Sequence, residues 1–131
     1  MQYLLTIYFD ESAMGAATPE QALAMTEAYE AFTAEVTEAG AYVGGNGLQS
    51  TSTATTVRVR DGEPLLTDGP FAETREQLAG YYLLECADLD EAVRWAAKIP
   101  SATHGSIEVR PIIDYEGRVA RAKARGAAAS A

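Results

Sequence analysis

Residues 2–9, Q-Y-L-L-T-I-Y-F, set strand-forming side chains on both faces of an extended segment and stop at Asp10-Glu11-Ser12. Apolar residues on both faces predict a central strand. The period then changes. Ala22, Met25, Tyr29, Phe32 and Val36 recur at spacings of three and four, one apolar stripe along a helix. Thr18-Pro19-Glu20-Gln21 marks its start: a hydroxyl cap, proline at the first helical position, and an amide placed for a capping box. Gly40 is expected to end it as a left-handed cap. Residues 42–48 follow with Gly44, Gly45 and Gly47, a short or bulged strand whose glycines could let backbone approach a ligand. They lack the spacing of a dinucleotide or phosphate loop.

Two strand-like runs, 54–60 and 63–67, flank Asp61-Gly62, the strongest short-range signal for a β-hairpin. One helical turn is expected over 70–77, and residues 80–86 read as a further strand. Asp88 caps a second helix with Glu91 completing the box, and Pro100 stops it. Leu89, Ala92, Val93, Ala96 and Ile99 form its expected inner stripe, with Trp95 as a core or interface anchor. Residues 106–113 read as a last strand. With the hairpin set aside as an insertion, the order is β-α-β-β-α-β, an α+β fold of the ferredoxin-like kind spanning 1–115. Residues 116–131 are Ala/Arg/Lys-rich without an apolar stripe and are read as a tail largely without fixed structure. Leu4, Tyr8, Tyr81 and Leu83 lie opposite in phase to Leu5, Ile7, Tyr82 and Leu84, so the sheet is apolar on both sides. Two helices cover one side, and a homodimer is the economical second cover.

Composition narrows this picture. The chain has 131 residues, 47% of them hydrophobic and seven of them tyrosine, enough for one domain with a real core. No apolar run reaches the roughly 18 residues of a membrane span. No basic residue precedes the first apolar segment, so no signal peptide is read and a cytoplasmic location is expected. The formal net charge is −9, and no lysine or arginine precedes Arg58. Such a body repels nucleic acid and anionic lipid, so neither is an expected partner. The single cysteine, Cys86, ends an apolar run and reads as a buried small hydrophobe.

Candidate chemistry gathers in T-D-G-P-F-A-E-T-R-E-Q-L-A-G-Y-Y, residues 67–82. Gly69 is free to take positive φ and Pro70 fixes its own, so the backbone is constrained twice. Asp68 heads this turn, where its carboxylate would cap the following amides. The plainer reading is a well-made turn that contains an acid; the sharper is an acid held for binding or proton transfer. His104, the one histidine, lies in the loop S-A-T-H-G. In a split β-α-β repeat this loop and the motif turn would converge at one end of the sheet. An aspartate that orients an imidazole makes it a proton shuttle near neutral pH, and a loop histidine without a role is the alternative. One histidine rules out a three-histidine zinc site within one chain, and Asp68, Glu73, Glu76 and His104 match no metal motif. No metal or cofactor is expected. Arg58, Arg60 and Arg110 would hold an anionic substrate or pair with surplus carboxylates.

The strings T-A-T-T-V-R-V-R-D-G, T-D-G-P-F-A-E-T-R-E-Q-L-A-G-Y-Y-L and H-G-S-I-E-V-R-P together resemble the YCII-related proteins, in particular the branch named for its D-G-P-F motif. The resemblance runs from the first strand through Tyr115. It implies a ferredoxin-like fold that dimerises as an α/β barrel and a His–Asp site in a cleft, carried here only to His104 and Asp68. The shorter YCII branch also has a histidine nearer its N-terminus, which this chain lacks. Members often neighbour genes for extracytoplasmic-function sigma factors, which implies a regulatory or stress context. The leading expectation is a small dimer in which His104 and Asp68 do acid–base work on a small organic molecule, as a cofactor-independent lyase, isomerase or hydrolase. The alternative is a non-catalytic module that binds a ligand or a regulatory protein.

Overall fold

The computed structural model describes residues 1–130. In chain order the elements are β1 (Gln2–Phe9), α1 (Glu11–Gly15), α2 (Pro19–Glu38), β2 (Tyr42–Gly47), β3 (Thr55–Arg60), β4 (Glu63–Asp68), β5 (Gln77–Glu85), α3 (Leu89–Lys98), β6 (Ser106–Pro111) and α4 (Tyr115–Ser130). Short 3-10 turns occupy Thr51–Thr53 and Pro100–Thr103.

Alternation along β1 sets the core. Tyr3, Leu5 and Ile7 are buried, while Leu4, Thr6 and Tyr8 between them are half-buried on the opposite face. β1 lies between β5 and β6, and β2 completes a four-stranded sheet of order β2-β5-β1-β6, antiparallel throughout. Leu5 is opposite Tyr82 on one side and Val109 on the other, so inward residues of three strands share one layer. Phe32 and Val36 of α2, Ala92 and Ala96 of α3, and Ile99 close over it. The Phe32 ring meets Tyr82 edge-on at 5.0 Å and Trp95 at 6.2 Å. This strand order is compatible with a ferredoxin-like α+β fold. The hairpin β3–β4 forms its own two-stranded sheet, turning at Asp61 (φ 52°) and Gly62 (φ 78°).

α2 starts as its sequence dictates: Thr18 accepts from Gln21 N–H, and Gln21 returns a bond to the Thr18 backbone. Asp88 caps α3 through Glu91 N–H at 2.9 Å.

Several expectations are corrected. Residues 70–76 form no helical turn, because Thr74 Oγ1 donates to the Glu76 carbonyl and Gln77 Nε2 donates to the Thr74 carbonyl. These side chains engage the backbone locally in place of a helical ladder. Asp68 does not cap the turn. It ends β4 opposite Thr55, and the turn is held by Gly69 N–H on the Ala54 carbonyl at 2.7 Å and Thr56 Oγ1 on the Gly69 carbonyl at 2.9 Å. Gly69 does take φ +100°. On α3, Leu89 and Val93 are exposed, and the buried stripe is carried by the small Ala92 and Ala96, which allow closer approach to the sheet. The tail read as largely without fixed structure, 116–131, is helical through Ser130 as part of α4. Alanine, arginine and lysine favour helix without any apolar face to bury, and Asp114 accepts from Gly117 N–H at 2.8 Å to start it. Ala131, the end of that segment, lies outside the described residues.

Candidate functional site

Between α2 and the strands β1, β2 and β5 lies a groove of about 1020 Å³. Its volume follows from small side chains: Ala34 on α2, Gly45 on β2, and Ala79 and Gly80 on β5. Gly45 and Gly80 are also required by their neighbours. A Cβ at Gly45 would meet the Tyr81 carbonyl at 2.9 Å, and one at Gly80 the Asn46 carbonyl at 2.8 Å. Met14 of α1 and Met25 of α2 add adaptable apolar wall. The short α1 is anchored through its first residue. Glu11 N–H donates to Gln77 Oε1 at 2.9 Å, and the Glu11 carboxylate accepts from Thr51 N–H and Oγ1 at 2.8 and 2.7 Å.

Two hydroxyl pairs face this space. Tyr29 and Ser101 share a hydrogen bond of 2.5 Å, and Thr33 and Tyr82 share one of 2.7 Å. Each pair has two O–H groups and uses one between them, which leaves one donor per pair for a ligand or water. Burial pushes both phenols above their ordinary range, offset in part by the hydrogen bonds from Ser101 and Thr33. The groove therefore offers neutral hydroxyls on an otherwise apolar wall. Glu30 and Glu38 of α2 supply its ionised groups.

His104 sits just outside. It follows the Pro100–Thr103 turn, donates its backbone N–H to the Ser101 carbonyl at 3.3 Å, and leaves its ring exposed. That ring lies 6.2 Å from Phe9, a residue that lines the groove. Gly105 is demanded here, because a Cβ would fall 2.1 Å from the Tyr8 carbonyl. The loop is thus pressed against the end of β1. The segment leading out of the motif reaches the same end: Ser106 Oγ donates to Glu76 Oε1 at 2.7 Å. Asp68 itself is exposed at the end of the hairpin. Among the described residues no hydrogen bond or ion pair joins it to His104.

Of the other candidates, Arg58 is exposed on β3 with no hydrogen bond or ion pair from its side chain among the described residues, while the rest have neighbours that engage or bury them. Arg110 Nη2 pairs with Glu108 Oε1 at 2.7 Å, and Arg60 donates to the Val59 carbonyl at 2.9 Å. Cys86 is buried, and that burial, followed by Glu91, pushes its thiol up, which suppresses the thiolate. Among the described residues no three His, Cys, Asp or Glu side chains are grouped as a metal would need.

The sequence pointed to Asp68 and His104 because polar residues in constrained loops stand out. It pointed to Tyr29 and Tyr82 only as core positions. Ser101 carried no signal, since its partner is 72 residues away. The glycines of β2 were the one legible hint of a space beside the sheet.

Residues 1–116 match the YCII-related domain. An uncharacterised protein of Rhizobium meliloti is 40% identical over 118 residues, covering 88% of this chain and 95% of that relative. No helix among the described residues is long and apolar enough to cross a membrane.

Proposed function

The chain belongs to the YCII-related family, and we propose that it binds a small, mainly apolar organic molecule in the groove beneath α2. The carrying observation is an apolar cleft of about 1020 Å³ with two hydroxyl pairs on its wall. Small-molecule sites are of this kind: roughly 300–1000 Å³, apolar, with a few placed polar groups. Acridine, a neutral aromatic, is a suitable calorimetric probe. Ala34 is exposed and helical, so Ala34→Trp extends an indole into the groove without touching the core. Acridine should bind the wild type and not the folded variant. Equal binding by both proteins would remove the groove as the site.

A second reading has support of its own. The His104 ring lies 6.2 Å from that of Phe9, a groove residue, and the motif segment reaches the histidine loop through Glu76 and Ser106. In this reading His104 moves a proton to or from the bound molecule and Asp68 fixes its tautomer, in a lyase, isomerase or hydrolase without a cofactor. The exposure of both side chains favours binding alone as the simpler reading. Long-range nitrogen NMR of the His104 ring separates the two: pairing fixes one tautomer, and Asp68→Asn would then redistribute it. An unchanged ring spectrum leaves the binding module, whose context would be regulatory.

The same reading places the chain in the D-G-P-F branch, on the strength of Asp68-Gly69-Pro70-Phe71, and in the cytoplasm. It also makes the protein a homodimer of the α/β-barrel kind. Support comes from apolar surface on both sheets: Leu4, Tyr8 and Leu83 on the far face of the main sheet, and Val57, Val59 and Leu66 on one face of the hairpin, exposed by 59, 60 and 70%. A lone two-stranded hairpin is marginal in water, and a second copy would cover it.

A further inference from the structure

The groove carries one sign of charge, and from that we infer its ligand class: an apolar organic cation, an aromatic or alkyl body bearing a permanent or protonated nitrogen. This rests on the groove being the ligand site. Glu30 and Glu38 are the ionised side chains that line it, and no lysine, arginine or histidine does. They stand on α2 with Ala34 midway, the i, i+4, i+8 row of one helix edge, so the two carboxylates flank the mouth about 12 Å apart along the axis. Neither has a hydrogen-bond or ion-pair partner among the described residues. Lys98, the lysine that reaches α2, is already engaged: it pairs with Glu35 and lies 5.4 Å over the Trp95 ring.

A second observation has the same sign. The groove follows α2 from Met25 to its end at Glu38, and the last turn of this 20-residue helix contains no basic residue. The turn thus supplies no cation of its own against the partial negative charge of the helix C-terminus, and Lys98, the cation that reaches it, is taken up by Glu35. The wall adds phenol rings from Tyr29, Tyr42 and Tyr82, whose faces attract a cation. Anions are repelled by the two carboxylates, by the helix end and by a chain of net charge −9, with only the groove's hydroxyls to donate to them. Phosphorylated or carboxylated metabolites are thus disfavoured as a class.

Three acridines of one shape test this at mildly alkaline pH and low salt: neutral acridine, cationic N-methylacridinium and anionic acridine carboxylate. Two exposed carboxylates should favour the cation over the neutral probe by about tenfold, with the anion the weakest. The double variant Glu30→Gln, Glu38→Gln changes only exposed helical positions, and it should remove most of the cation's advantage, leaving the smaller share owed to the helix end and the phenol rings. Ala34→Trp should abolish binding of both. A cation that binds no better than acridine overturns the charge preference while the groove stands. A cation that still binds Ala34→Trp is held by general surface charge, which also overturns it. Failure of all three probes to bind removes the groove and this inference together.

Discussion

Tyr29 and Tyr82 each do two things: their rings wall the groove, and their hydroxyls hold a partner from another element. Ser101 is fully buried, so its hydroxyl depends on Tyr29 for satisfaction. Tyr29→Phe should destabilise the fold by about 1–3 kcal/mol in urea unfolding, because it orphans that buried group. Thr33 is only half-buried and water can replace Tyr82, so Tyr82→Phe should cost less. The raised phenols also set a direction with pH. Their folded values lie above the unfolded one of about 10, so their contribution is complete below that pH and is lost as pH rises through the folded values. In an ultraviolet titration, Tyr29→Phe and Tyr82→Phe should each remove a phenol that ionises above the ordinary tyrosine range. Loss of a phenol from the ordinary range in either variant would contradict the burial described here. None of this was legible in the chain, where Tyr29 is one position of an apolar stripe. The sequence encodes its burial, but only the fold supplies Ser101.

Elements were more legible than sites, for reasons that differ from one to the next. α2 is readable at its start because cap, proline and box are local chemistry, at its end because Gly40 takes φ 78°, and the hairpin because Asp61-Gly62 favours positive φ. The segment 70–76 was misread, since Pro70 and a charged run suit a helical start, while the bonds of Thr74 and Gln77 are specific to this turn. α1 is too short to show a period, yet it supplies Met14 and ties β5 to the loop after β2. α4 has no apolar stripe, so hydrophobic period carries no signal for it and its helix rests on the propensity of alanine, arginine and lysine. Its residues through 127 are exposed apart from Gly117, which is half-buried. Removing residues 115–131 should therefore leave the melting temperature of the remainder within a few degrees, as expected for surface structure away from the core. A large drop in a thermal scan would mean that α4 supports the core.

At the scale of the molecule, one sheet organises everything. Its inner face carries the core and, toward the open side of α2, the groove; its outer face and the hairpin hold apolar surface still in need of a cover. Sedimentation at micromolar concentration should give twice the chain mass of 13.9 kDa, and a monomeric mass would contradict the homodimer. The central claim is narrower, that ligands enter beneath α2. The three methionines are natural reporters of it. Met14 and Met25 line the groove, whereas Met1 lies at the other end of β1, with its ammonium on Glu85. In protein labelled at the methionine methyls, acridine should shift the Met14 and Met25 signals together and leave Met1 in place. A shift of Met1 alone, or of none at saturating probe, would contradict the account.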